Sequence, residues 1–253
     1  MIPAKKTAIL FENPRFYILS TVVAVSVLIT SWLRLTVPSD QLLYIRIEQV
    51  FGYLCISLWY VALIISPLQR QLGDRFGIPY LVFCRRAIGV SAAYFALLHV
   101  LVALFGQIGG FSGLTLLPAK FLLAAGMGTV ALVILIAMAA TSFNKVIAFM
   151  TYPRWKWLHR WGYFGGLLVL LHIWLIGTHM SYLSFKGVIF VMLIVLFRLE
   201  TLRIAGNLAK RYPRLQPRQN ALAMGLWLML VGLLFVVPLL LEPSGNHHLG
   251  ESQ

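Results

Sequence analysis

The sequence predicts an all-α protein, a polytopic membrane bundle of about seven transmembrane helices with its N-terminus in the cytoplasm. Composition is the first observation: 60% of the 253 residues are hydrophobic, only 11% are charged, and the mean hydropathy is +0.86. These values lie far outside the range of soluble globular domains. The length of the apolar runs and the placement of the basic residues are the other two observations, and they give the number and the direction of the helices.

Seven apolar runs have the length that a membrane helix requires, which is about 20 residues for roughly 30 Å of hydrocarbon. The first run is too long for the core of a signal peptide, and no small-residue cleavage site follows it, so we expect a membrane helix there. The predicted spans, numbered one to seven, are residues 16–37, 49–67, 86–106, 121–142, 157–178, 183–202 and 221–241.

The net charge of +14 fits a membrane protein better than a nucleic-acid-binding protein, because the basic residues alternate between loops. They precede span one and fill the loops between spans two and three, four and five, and six and seven. The positive-inside rule then places the N-terminus in the cytoplasm and the C-terminus outside. The basic residues of these segments are Lys5, Lys6, Arg15, Arg70, Arg75, Arg85, Arg86, Lys145, Arg154, Lys156, Arg203, Lys210, Arg211, Arg214 and Arg218.

Three histidines lie inside predicted spans at two depths. Spans three and five both run outward, and 13 residues separate Arg86 from His99 and His159 from His172. At 1.5 Å per residue, each separation is about 20 Å along the membrane normal. His99 and His172 are therefore predicted at one depth on two helices, and His159 is predicted near the cytoplasmic face, level with Arg85 and Arg86.

Two histidines at one depth favour a haem between the helices, since neutral imidazole is a good iron ligand that brings no net charge into lipid. The alternatives are a histidine hydrogen-bonded to a neighbouring helix and, for His159, an interfacial residue among tryptophans. His159 and His172 do not share a helix face, because 13 residues turn an ideal helix by about 220°. Covalent attachment through a Cys-x-x-Cys-His site is excluded by the positions of Cys55 and Cys84, so a haem here is of the b type.

Four segments together resemble one family. They are "IISPLQ" at the end of span two, "RRAIGVSAAYFALLH" in span three, "AMAATS" at the end of span four and "RWKWLHRWGYFGGLLVLLHIW" at the start of span five. Over residues 45–200 the chain resembles the ferric-reductase-like transmembrane domain family and, within it, the MsrQ-like haem-binding subunits of periplasmic methionine-sulfoxide reductase systems. The resemblance implies a bundle with b-type haem, with His99 and His172 as the axial metal ligands of an outer haem and His159 as a metal ligand of an inner haem.

The chain departs from that family in two respects. Where the oxidase and ferric-reductase branches have a second histidine on the third helix, this chain has Arg85 and Arg86, so the inner haem lacks an obvious second ligand. The two arginines could pair with haem propionates in a cofactor-binding role, or could anchor the helix on the positive inner side. The seventh span is the other departure, because the MsrQ-like subunits lack it.

The expected organisation follows from spans and resemblance together. A tail and first helix occupy residues 1–44, the haem-binding core occupies 45–204, and a basic loop, an extra helix and an outer tail occupy 205–253. We find no nucleotide-binding glycine motif, so we expect an electron-transfer component rather than a complete enzyme. It would sit in a bacterial inner membrane and take electrons from quinol or a cytoplasmic flavoprotein to a periplasmic reductase subunit. An FMN or a quinone on the donor side is a further expectation that no motif supports.

Other functions remain open at this point. One is a ferric or other metal reductase component, and another is a membrane scaffold without haem. A proton-coupled transporter with a histidine relay is the alternative of a different class. It is disfavoured because all seven carboxylates are predicted in loops, in tails or at span ends. His179 is either a residue of the outer interface, a propionate partner or a residue that helps to dock the acceptor, and we assign no role to His247 and His248 in the tail.

Overall fold

The computed structural model describes residues 14–72, 78–176, 183–219 and 221–229. Its chain divides into two compact units, Met1–Ser181 and Tyr182–Gln253. Within the described residues the regular structure is entirely helical, which confirms the predicted all-α membrane bundle. The helices of the first unit are α1 (Pro14–Thr36), α2 (Asp40–Leu72), α3 (Ile78–Leu101) with a π-helical continuation (Val102–Gln107), a 3-10 turn (Ser112–Leu116), α4 (Ala119–Ala140), α5 (Asn144–Met150) and α6 (Tyr152–Ile176).

Among the described residues, four helical segments are long and apolar enough to cross a membrane. They are Arg15–Thr36, Asp40–Gln69, Pro79–Gln107 and Ala119–Ala140. Helix α6 has 25 residues and covers most of predicted span five, but it also carries several basic residues. Among the described residues these data support a membrane bundle, while the count of seven spans and the cytoplasmic N-terminus stay predictions.

Predicted spans six and seven belong to the second unit. Span six coincides with the first part of α7 (Leu183–Arg211), which a 3-10 turn follows at Pro213–Arg218. Within α7, Arg203 and Glu200 form an ion pair one turn apart, and Thr201 is fully buried. Only residues 221–229 of span seven are described, and His179, His247 and His248 lie outside the described residues.

The core of the first unit consists of two helix pairs, in which α2 packs along α3 and α4 packs along α6. The start of α2 meets the end of α3, and the start of α4 meets the end of α6, as antiparallel neighbours do. Large apolar side chains on α1 and α4 remain exposed, which is the surface expected of helices that face lipid. The two pairs therefore place the ends of α3 and α6 at the same end of the bundle.

A glycine cluster on α6 makes close packing possible. Gly162, Gly165 and Gly166 are buried, and side chains of α2 and α4 fill the space beside them. Trp59 lies against Gly165, and the hydroxyl of Tyr60 donates a hydrogen bond of 2.9 Å to the carbonyl of Gly166. These contacts are ordinary helix packing, in which small residues let neighbouring helices approach closely.

One helix boundary differs from its prediction in a way that affects the site. Helix α2 begins at Asp40, whereas span two was predicted from residue 49. Glu48 therefore lies about two turns inside the helix, not at a span end. The polar side chains before residue 49 conceal this extension, because a hydropathy run starts only where polar residues stop.

Candidate functional site

The structure brings His99 and His172 together. His99 lies near the end of α3, His172 lies near the end of α6, and the centroids of their rings are 6.3 Å apart. The two ring planes are inclined at 83°. The predicted match in depth is therefore confirmed, and the helix pairs turn both rings toward one another across the bundle.

His99 is held by the backbone of α2. Its Nδ1 atom lies 3.0 Å from the carbonyl oxygen of Glu48, and because a carbonyl only accepts, Nδ1 carries the proton and donates. Gly52 allows this approach: a Cβ atom at Gly52 would lie 3.0 Å from Nδ1 and 3.2 Å from Cε1 of the ring. A larger residue there would push the ring away from its acceptor.

His172 is held in the same manner by α4. Its Nδ1 atom donates to the carbonyl oxygen of Ala124 over 2.8 Å, and a Cβ atom at Gly128 would lie 2.9 Å from Nδ1. In each helix pair the glycine stands four residues after the acceptor, at 52 after 48 and at 128 after 124. We call this arrangement the carbonyl-glycine clamp: the Nδ1–H group of a histidine donates to a backbone carbonyl, and a glycine four residues later on the same helix leaves room for the ring. It occurs once at His99 and once at His172.

The clamps suit both histidines to metal binding. When Nδ1–H donates to a carbonyl, the lone pair of the neutral ring is on Nε2, which is the usual way in which proteins orient a ligating histidine. Two imidazoles that bind one ion from opposite sides, at about 2.0 Å from each nitrogen, have centroids about 6 Å apart. The observed 6.3 Å agrees with that spacing. An edge-to-face ring pair without a metal has a similar spacing, so the spectrum of the protein must decide between them.

A carboxylate and an amide lie beside His99. Glu48 Oε1 lies 3.6 Å from His99 Nδ1, and Glu48 Oε2 accepts a hydrogen bond of 2.7 Å from Gln107 Nε2. Gln107 ends the π-helical continuation of α3. In the clamp of His172 the acceptor residue is Ala124, whose side chain carries no charge. The two clamps therefore differ in charge.

His159 lies in a separate environment on the first turns of α6. Its ring packs on Trp155 with 4.1 Å between centroids, and its Nε2 is 3.4 Å from the hydroxyl oxygen of Thr141. Arg85 and Arg86 lie close enough for their positive charges to act on His159, as the sequence predicted. Within the described residues no cluster of three or more potential metal ligands exists here or elsewhere.

Arg85 and Arg86 each contact a neighbouring segment. Arg85 Nε donates to the carbonyl of Ala62 on α2 over 2.8 Å, and Arg86 Nη1 donates to Asn144 Oδ1 over 2.7 Å. Both arginines therefore connect α3 to other elements of the first unit. These contacts agree with an anchoring role, and they leave the propionate role a prediction.

The residues that support the histidines were not predicted from the sequence. Gly52, Gly128, Glu48 and Gln107 were not singled out, although glycines inside apolar helices are visible in the sequence. The sequence does not show how neighbouring helices are aligned and rotated against each other. A glycine makes room for a histidine only if it faces that histidine on an adjacent helix. Trp59 was also missed, and its buried indole Nε1 has no hydrogen-bond partner among the described residues.

Comparisons with known proteins agree with the location of this site. The family described as ferric reductase like transmembrane component matches residues 51–170, which include His99 and His159 and end two residues before His172. The chain is 32% identical over 118 residues to the protein-methionine-sulfoxide reductase heme-binding subunit MsrQ of Ralstonia nicotianae, covering 44% of this chain and 50% of that protein. No solved structure matches the chain.

Two further relatives match a similar length of the chain. MsrQ of Bordetella pertussis is 35% identical over 120 residues, or 45% of this chain and 53% of that protein. The magnetosome protein MamZ of Magnetospirillum gryphiswaldense is 38% identical over 120 residues, or 46% of this chain and 18% of that protein. The chain thus spans about half the length of the MsrQ proteins it matches. Residues 51–170 of the chain are similar to the ferric reductase-like transmembrane family.

Proposed function

We propose that this protein is a membrane electron-transfer subunit that binds b-type haem between His99 and His172. The observation that carries the proposal is the pair of clamped imidazoles, 6.3 Å apart, each with Nδ1 committed to a backbone carbonyl. The name of the MsrQ relatives, which states that they bind haem, supports the same cofactor. Haem supplies one-electron redox chemistry, with its potential set by axial ligands, burial and hydrogen bonds.

The chain's own residues would perform three tasks in this function. The carbonyls of Glu48 and Ala124 fix the tautomer and the orientation of the two rings. Gly52 and Gly128 let the rings approach those carbonyls. The apolar helices around them leave both rings only partly exposed, which limits the number of polar groups that reach the site.

The proposed donor and acceptor are supported by the similarity to the MsrQ proteins and by the charge pattern. We infer that electrons enter from quinol or a cytoplasmic flavoprotein, with FMN or quinone as a donor-side cofactor, and leave to a periplasmic methionine-sulfoxide reductase subunit. The MsrQ names support that acceptor, and the alternating basic loops support a bacterial inner membrane with this direction of transfer.

A second, inner haem on His159 is a separate proposal. Its support is the family resemblance together with the positive charges of Arg85 and Arg86, which could pair with propionates. Within the described residues no other histidine adjoins His159 to complete an axial pair. We therefore expect one firmly bound haem per chain, and a second only if a ligand of another kind completes the inner site.

Visible spectroscopy of the purified protein tests the proposal. We expect a Soret band that shifts on reduction with dithionite, and α and β bands of six-coordinate b-type haem that can be extracted without breaking a covalent bond. A colourless preparation from haem-replete cells would refute haem binding. It would also favour the edge-to-face interpretation of the histidine pair.

A metal reductase component is the second candidate, because the matching family is described as ferric reductase-like. The two candidates differ in the acceptor and not in the haem site. Mixing the dithionite-reduced protein with a methionine-sulfoxide reductase or with ferric citrate separates them. Rapid reoxidation by the reductase alone supports the first candidate, and rapid reoxidation by ferric citrate alone supports the second.

A further inference from the structure

The two carbonyl-glycine clamps are alike in backbone geometry but unlike in charge. His172 is held by Ala124, whose side chain is a methyl group. His99 is held by Glu48, whose carboxylate oxygen Oε1 is 3.6 Å from the same Nδ1 that donates to the Glu48 carbonyl. One of the two imidazoles therefore has an anionic group beside its N–H bond, and the other has none within its clamp.

The Glu48 carboxylate is held by a second contact within the chain. Its other oxygen, Oε2, accepts the 2.7 Å hydrogen bond from Gln107. Gln107 reaches it because α3 continues as a π-helix over Val102–Gln107, and Gly106 in that turn lies against the ring of Tyr44 on α2. π-Helical turns are rare and frequently occur at functional sites.

A carboxylate beside Nδ1–H changes the ligand properties of an imidazole. It attracts the proton on Nδ1, moves electron density toward Nε2 and makes that nitrogen a stronger donor to a metal. A negative charge near a redox centre also stabilises the oxidised, more positive state relative to the reduced state. Both effects act in the same direction, toward a lower reduction potential.

We propose that Glu48, held by Gln107, is a positioning residue that lowers the reduction potential of the haem bound by His99 and His172. This inference rests on the proposed function, since it requires that haem. Glu48 does not ligate the metal, and it acts through the N–H bond of His99 and through the field of its charge. The chain thus has one imidazole of ordinary donor strength and one that is strengthened by charge, which would make the haem a better reductant toward an acceptor outside.

Potentiometric titration of the purified protein, followed in the visible spectrum at one neutral pH, tests this inference. Glu48→Gln keeps the size and the hydrogen-bonding capacity of the side chain but removes its charge. We expect this variant to stabilise the reduced haem about tenfold, a shift of about 59 mV to more positive potential for a one-electron couple. Glu48→Asp, which keeps the charge, should return the potential toward the wild-type value.

Two more variants make the experiment decisive. Asp40→Asn removes a carboxylate from the same helix, one that pairs with Arg34 instead of a histidine, and should leave the potential unchanged. Gln107→Leu leaves the charge of Glu48 in place but removes the hydrogen bond that holds the carboxylate. It should raise the potential by less than Glu48→Gln does. If Glu48→Gln does not retain haem, the reduction potential of Gln107→Leu compared with that of wild type tests the inference.

The outcomes separate this inference from the proposed function. Wild-type protein without haem overturns both. Wild-type and variant proteins that all bind haem, with equal potentials in Glu48→Gln, Gln107→Leu and wild type, overturn the role of Glu48 and leave the haem site standing. An equal rise in Asp40→Asn and Glu48→Gln also overturns it, because the effect would then be one of overall charge.

Discussion

Replacing Gly128 by alanine should weaken haem binding although it adds only one methyl group. The new Cβ atom would lie 2.9 Å from His172 Nδ1 and 3.1 Å from Cε1, where ordinary contact begins at 3.4 Å. The ring must therefore move by about 0.5 Å away from α4, and the Nδ1 hydrogen bond to Ala124 would lengthen from 2.8 Å beyond about 3.2 Å, the upper limit of good N–H···O geometry.

The size of the effect follows from the lost hydrogen bond. A neutral hydrogen bond contributes about 0.5–1.5 kcal/mol, and loss of the group that orients a metal-binding histidine typically weakens binding by about 10- to 100-fold. We expect Gly128→Ala to weaken haem binding by about 10-fold, near the lower end of that range, because the ring of His172 can still face the metal. Alanine favours the helix over glycine by about 1 kcal/mol, so a loss of haem would not reflect a weaker helix.

The assay is the rate at which the oxidised protein loses haem to an excess of apomyoglobin, followed by the Soret band. Gly126→Ala is the matched control, since Gly126 lies on the same helix and a Cβ there would meet nothing within 4 Å. Gly52→Ala should resemble Gly128→Ala, because its Cβ would lie 3.0 Å from His99 Nδ1. Equal loss rates for Gly128→Ala and Gly126→Ala would refute the clamp as the element that holds the ligand.

Three other predictions concern the same bundle. His99→Ala and His172→Ala should each abolish the six-coordinate spectrum of the purified protein, and a spectrum unchanged in either would exclude that histidine as an axial ligand. His159→Ala should leave that spectrum in place, and a haem-to-protein ratio equal to wild type would show that His159 holds no second haem. Tyr60→Phe removes the buried hydrogen bond to Gly166 and should lower the free energy of unfolding in detergent by about 1 kcal/mol, without loss of haem; no measurable change in denaturation would contradict that.

The sequence was sufficient to predict the helical class and the meeting of two histidines. Both depend on simple periodic quantities: apolar length gives the helices, and 1.5 Å per residue gives depth. His99 and His172 could be placed at one level because spans three and five run in the same direction. The ring spacing of 6.3 Å agrees with that argument.

The clamps and the extension of α2 could not be predicted in the same manner. The rise per residue gives only the position of a residue along the helix axis. The approach of Gly52 to His99 depends also on how far each helix is rotated about that axis. That rotation follows from packing among all the helices of the unit. Glu48 was placed at a span end because hydropathy detects lipid contact, while helix α2 continues through polar residues up to Asp40.

Electron paramagnetic resonance of the oxidised, purified protein tests the central claim most directly, because one spectrum reports both axial ligands and the angle between their planes. We predict a low-spin ferric signal of the strongly anisotropic type, which two neutral imidazoles with nearly perpendicular planes produce, because the two ring planes are inclined at 83°. A purely high-spin signal, or none from haem, would contradict the assignment of His99 and His172 as the axial pair. A rhombic low-spin signal typical of parallel rings would contradict the orientation that the two clamps impose.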